Sequence, residues 1–179
     1  DHSSGISMVI DRLTSKGHRR IGFYTREYTI AASWSFRRYS AFVEKMARTK
    51  LKVSNRDIIG VFPRKFNSVV SGIDEAIKRT KEGVTAWVCA ADHQAYDLID
   101  GFERQGLQIP NDVSITGFDG IQKSDNRPAL TTIDIPFRAI GMTGADRLAS
   151  RIRKRFGGSQ SIYISGTLIE GETVARPKS

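Results

Sequence analysis

Apolar residues recur along this chain at two spacings, and the two alternate. Ile6, Val9, Ile10 and Leu13 fall at i, i+3, i+4 and i+7, the stripe of an amphipathic helix, with Ser3-Ser4 ahead as its cap and Gly17 as its stop. Ile21–Tyr24 is a short apolar run of strand length. Tyr39, Phe42, Val43 and Met46 then mark a helix from about Ser33 to Arg48. Residues 57–62 read as the second strand, and a helix capped by Asn67 carries Val70, Ile73 and Ile77. Residues 85–90 make a third strand, and Asp92 opens a fourth helix through Ala95, Leu98, Ile99 and Phe102. A strand at residues 113–117 follows, then a short extended piece at 130–133. Pro136 suits the first position of a long helix along which Ile140, Leu148 and Ile152 pack. Residues 161–164 and Thr167–Ile169 are expected as two last strands. Strands alternating with helices imply an α/β fold with a doubly wound, mostly parallel sheet covered on both faces.

Composition narrows the class. The chain of 179 residues is 39% hydrophobic and 26% charged, ordinary for a soluble globular protein. No apolar run approaches the ~20 residues of a membrane span. The opening Asp-His-Ser-Ser-Gly lacks a basic and then apolar leader, so no signal peptide is read there, and the single Cys89 excludes an internal disulfide and fits a reducing cytoplasm. The net charge of +9 invites a nucleic-acid partner. However, the basic residues are scattered over Arg19-Arg20, Arg37-Arg38, residues 48–52, 78–81 and 151–155, which favours solvated helix faces over a binding groove.

Signals for catalysis fail. There is no nucleophile elbow, zinc-protease helix, phosphate loop or dinucleotide glycine fingerprint. Cys89 and His93 could be imagined as nucleophile and base, but a thiol ending an apolar strand is far more often structural. His2, His18 and His93 have no metal-ligand spacing, so no catalytic residue, metal or cofactor is expected. Signals for binding are better. Thr25-Arg26, Asp92-His93 and Asp119 stand just past the carboxyl ends of strands, the edge where open α/β sheets bind ligands. A carboxylate there accepts hydroxyl hydrogen bonds, and a guanidinium donates in a fork.

Residues 106–137 carry a resemblance. Gly-Leu-x-Ile-Pro-x-Asp-Val-Ser-Ile-x-Gly-Phe-Asp followed by Pro-Ala-Leu-Thr-Thr-Ile is similar to the lactose-repressor (LacI/GalR) family of transcription regulators, and Gly17-His18-Arg19-Arg20-Ile21 resembles the same family. The resemblance implies a periplasmic-binding-protein-like effector domain over residues 1–179, with the second lobe (20–130 and 160–171) nearly complete. Residues 1–17 and 133–158 would be helices of the first lobe, and the DNA-binding headpiece would be absent. It further implies a cytoplasmic homodimer that binds a small sugar-like effector and reaches operator DNA only through that headpiece, with no membrane partner and no enzymatic activity. A transport-type sugar-binding protein of the same fold is the alternative.

The resemblance also points to residues. Arg38 matches an arginine that reaches into the effector cleft, and Asp119 matches a common effector contact. Asp92 keeps its match beside Ala91, which stands where the family has a ligand-contacting asparagine; its other role is the helix cap. Phe66 is placed near the aromatic that stacks on the effector, with core packing as its other role. Arg38 and Asp119 are expected to matter for affinity and little for stability.

Overall fold

The computed structural model describes residues 1–26, 28, 31–61, 69–122, 127–154 and 158–178. Strands β1 (Ile21–Tyr24), β2 (Ile58–Ile59), β3 (Ala86–Cys89) and β4 (Ser114–Thr116) form a parallel sheet in the order β2-β1-β3-β4. The chain steps outward from β1 to β2 and then crosses to the other side. Neighbours β1 and β3 are thus followed by connections to opposite sides, the topological switch point at which such sheets open a crevice.

Period-two alternation sorts the strand residues between two cores. Phe23 and Val88 face helices α1 (His2–Ser15) and α2 (Ser33–Arg48), where Ile6, Val9, Ile10, Leu13, Phe42 and Met46 are all buried. Tyr24, Trp87 and Cys89 face α3 (Val69–Lys81) and α4 (Asp92–Arg104), packed with Ile73, Leu98, Ile99 and Phe102. Gly22 is a glycine for contact rather than for flexibility, since a side chain there would run into the Trp87 ring.

Several expectations are corrected. The cap of α1 is Asp1, whose carboxylate accepts from the Ser3 and Ser4 amides at 3.0 and 3.2 Å, because an anion is favoured over a hydroxyl at the positive end of a helix. α1 lies in the same core as β1 and α2 and covers the sheet that follows it. β2 is shorter than residues 57–62: a 3-10 turn at Asn55–Asp57 precedes it, and Gly60 turns the chain at φ +84. Asn67, the expected cap of α3, lies outside the described residues. Residues 161–164 are not in a strand.

Beyond β4 the chain returns through a parallel bridge, Thr116 to Thr131, into β5 (Thr132–Asp134), which pairs antiparallel with β6 (Thr167–Ile169). Between them runs α5 (Phe137–Lys154). Its expected packing through Ile140, Leu148 and Ile152 is not found: all three are exposed, Leu148 at 61% and Ile152 at 70%. A groove of about 630 Å³ separates α5 from residues 160–164, lined by Ile140, Leu148 and Ile162 with Arg37, Arg147 and Arg151. Among the described residues no helix is long and apolar enough to cross a membrane.

Candidate functional site

The carboxyl ends of β1, β3 and β4 deliver Thr25, Ala90 to Asp92, and Gly117 to Asp119 to one edge of the sheet. α2 adds Arg38 from the face it turns toward the sheet. Arg38 and Asp119, 81 positions apart in sequence, meet there: Nη2 donates to Asp119 Oδ1 at 2.7 Å. The guanidinium also donates from Nη1 to the Ala90 carbonyl (2.5 Å) and from Nε to His2 Nδ1 (3.2 Å). Its planar group lies 3.9 Å from the Phe118 ring centre and 5.0 Å from that of Trp34. Only 4% of Arg38 is exposed, so the arginine is a buried clamp with three bonds and two ring contacts. The expectation that its loss would spare stability is withdrawn on that geometry.

Asp119 is the open half of the pair. Its side chain is 20% exposed, and its backbone sits at φ +131, a region non-glycine residues rarely adopt and one often held at functional positions. Two contacts hold it there: the ion pair with Arg38, and its amide donating to the Ile133 carbonyl at 2.9 Å. Burial pushes the Arg38 guanidinium down, opposed by the charge and hydrogen bond of Asp119. Burial, with the positive charge of Arg38 next, pushes His2 down to about 4. A neutral imidazole is what the geometry requires, since Nδ1 accepts from an arginine.

Asp92 is not the cap that the sequence suggested. Ala91 holds the cap position of α4 in extended conformation, and Asp92 is the first helical residue. Its carboxylate turns inward, fully buried, accepting from the Ile121 amide (2.6 Å) on Oδ2 and the Thr132 hydroxyl (2.5 Å) on Oδ1. Burial pushes it up to about 6, against the pull of these bonds. A fully buried carboxylate with both oxygens engaged acts as a structural strut, and the cap role is not found. Phe66 lies outside the described residues.

His2, Trp34 and Phe118 are the members of the site that sequence reasoning missed. Trp34 stands four residues before Arg38, one helical turn away on the same face, a spacing that signals contact. His2 and Phe118 carry no such signal, since they come from α1 and from the turn after β4. Nearby polar groups are internally paired: Thr25 Oγ1 lies 2.9 Å from Ser35 Oγ, and Arg26 contacts Asp97 at 2.7 Å. A cavity of about 130 Å³ adjoins the cluster, lined by His2, Phe118, Ile133 and Ile140. Cys89 is fully buried, and burial raises its thiol well above the usual range, which leaves no nucleophile beside His93. Among the described residues no cluster of His, Cys, Asp or Glu could hold a metal ion.

Comparison with known proteins places this arrangement. The model of the periplasmic binding protein-like domain matches residues 10–174. The HTH-type transcriptional repressor PurR of Vibrio cholerae is 29% identical over 163 residues, which are 90% of this chain and 47% of the repressor. The chain thus spans about half the length of the curated relatives it matches. A LacI family transcriptional regulator from Mycobacterium smegmatis superposes with a TM-score of 0.80 at 25% identity, covering 99% of this chain and 65% of that one. A LacI family regulator from Enterococcus faecium, solved with bound ribose, superposes at 0.79 and 24% identity, covering 99% and 65%. With the doubly wound sheet and the Arg38–Asp119 edge, these matches make the chain a member of the periplasmic binding protein-like domain family, in the form carried by LacI/GalR regulators.

Proposed function

We propose that this chain supplies the effector-binding part of a LacI/GalR-type transcription regulator, and that Asp119, set by Arg38, binds a hydroxyl-rich small molecule such as a sugar or sugar derivative. The observation that carries the reading is the Asp119–Arg38 pair at the carboxyl edge of the sheet, with Asp119 strained and partly open. One carboxylate oxygen takes the arginine, and the other remains an acceptor for a sugar hydroxyl. Charge-assisted bonds of this kind contribute roughly 1.5–3 kcal/mol each. The ribose held by the Enterococcus faecium relative supports the ligand class. The repressor relatives favour a regulator over a transport-type binding protein of the same fold.

In this reading the regulator pairs as a homodimer in the cytoplasm, binds operator DNA through a separate headpiece, and performs no chemistry on its ligand. Binding would favour one arrangement of the molecule and so change its affinity for DNA. Calorimetric titration of D-ribose and a panel of pentoses, hexoses and their phosphates tests the site. The expected result is saturable binding by one sugar class that weakens about ten- to a hundredfold in Asp119→Ala. Binding unaffected by Asp119→Ala would remove the assignment. Turnover of any sugar in the panel would replace the binder with an enzyme.

A further inference from the structure

We propose that Asp92 is the positioning residue of this site, joining the turn that carries Asp119 to the crossover strand β5. The inference rests on the reading of Asp119 as the ligand-facing group. Asp92 grips that turn on both sides of Asp119: its amide donates to the Phe118 carbonyl at 2.9 Å, and its Oδ2 accepts from the Ile121 amide at 2.6 Å. Its other oxygen takes the Thr132 hydroxyl at 2.5 Å, the first residue of β5. Asp119 itself donates to the Ile133 carbonyl, so turn and strand are tied twice over two consecutive β5 residues.

The surroundings are shaped to this grip. A side chain on Gly117 would strike the Asp92 carboxylate, and one on Gly120 would strike Asp134 of β5. Asp119 at φ +131 and Gly120 at φ +79 form a turn that would relax if released. β5 runs through Ile135-Pro136 into α5, so a displacement of α5 that carries β5 with it pulls on Thr132 and, through Asp92, on the Asp119 turn. The coupling is physical because the element that would move and the element that would bind share one buried carboxylate.

A carboxylate with two acceptors is matched at this position by one other common side chain. In Asp92→Asn the amide oxygen can accept from Ile121, and the amide nitrogen can donate to the Thr132 hydroxyl, which accepts as readily as it donates. Asp92→Ala has neither group, and Thr132→Val removes only the link to β5 while keeping its shape.

The test is residue-resolved amide hydrogen exchange on this chain without any sugar, so its outcome is independent of whether a sugar binds. The amides of Asp119 and Ile121 are compared with that of Ile115, which donates to the Thr173 carbonyl outside the turn. In Thr132→Val and Asp92→Ala, exchange at Asp119 and Ile121 is expected to rise by about tenfold or more relative to Ile115. Asp92→Asn is expected to restore the wild-type ratio. Uniform acceleration at all three amides, or failure of the asparagine to restore the ratio, would reduce Asp92 to a general stability residue and overturn the proposal. Should the alanine variant not fold, Thr132→Val alone decides.

Discussion

The sheet with helices α1 to α4 and the arm formed by α5 with residues 158–166 are built from the same kind of sequence and end in opposite states. In the sheet body each apolar stripe is covered: Ile6, Val9, Ile10 and Leu13 on α1 meet Phe23 and Phe42, and Leu98, Ile99 and Phe102 on α4 meet Trp87 and Ile115. In the arm, Phe137, Ile140, Leu148 and Ile152 form a stripe of the same period that faces solvent. Periodicity therefore reports that a helix is amphipathic and says nothing of what covers it. The Asp119 site lies where the two regions join, because β5 links the sheet edge to α5.

The contrast is most open to attack through its apolar side chains. Phe42→Ala in the body is expected to cost about 3–5 kcal/mol, from lost transfer energy and an incompletely collapsing cavity. Urea denaturation measures it, and a loss below about 1 kcal/mol would mean the body is packed no better than the arm.

At the junction, Asp92→Ala leaves the buried Thr132 hydroxyl without its acceptor, whereas the Ile121 amide belongs to a residue 56% exposed and is open to water. The orphaned hydroxyl costs about 1–3 kcal/mol, offset in part by no longer burying a carboxylate, so a net loss of about 1 kcal/mol is expected. Asp92→Asn should lose less at neutral pH, as the same denaturation series would report.

Two groups at the junction titrate with opposite sign. Asp92, raised from 3.8 to about 6 chiefly by burial, contributes a stability that is full below 3.8 and is lost as pH rises through about 6. His2, lowered from 6.5 to about 4 chiefly by burial, contributes a stability present above 6.5 and lost as pH falls through about 4. Relative to the wild type, Asp92→Asn should therefore gain stability as pH rises from 4 to 6, and His2→Gln should gain it as pH falls over the same range. Parallel curves for wild type and both variants would show that neither group is perturbed.

The smallest stability effect belongs to the arm. Leu148→Glu should change folding stability by no more than about 0.5 kcal/mol, since the side chain has little to lose. Its readout is association instead: an exposed apolar stripe tends to find a partner, and sedimentation should show less self-association in the variant. A large stability loss would mean that Leu148 is covered in solution.

Much of this was legible in the residues. Short apolar runs and helical stripes determined the alternation of strands and helices, because burying one face of each element demands those periods. The position of Asp119 past a strand end, with the blocks around it, marked it for the binding edge and pointed to the family. What the sequence could not carry was pairing between distant segments. That Arg38 would close on Asp119 and Ala90 depends on α2 packing over the ends of β3 and β4, and its bond to His2 depends on α1 folding back over the sheet. That Asp92 would turn inward to Thr132 depends on β5 returning beside β4. Each of these polar groups reads on its own as an exposed site or a cap, and only the tertiary structure decides its role, because the cost of burying a charge is met by partners that the chain brings from elsewhere.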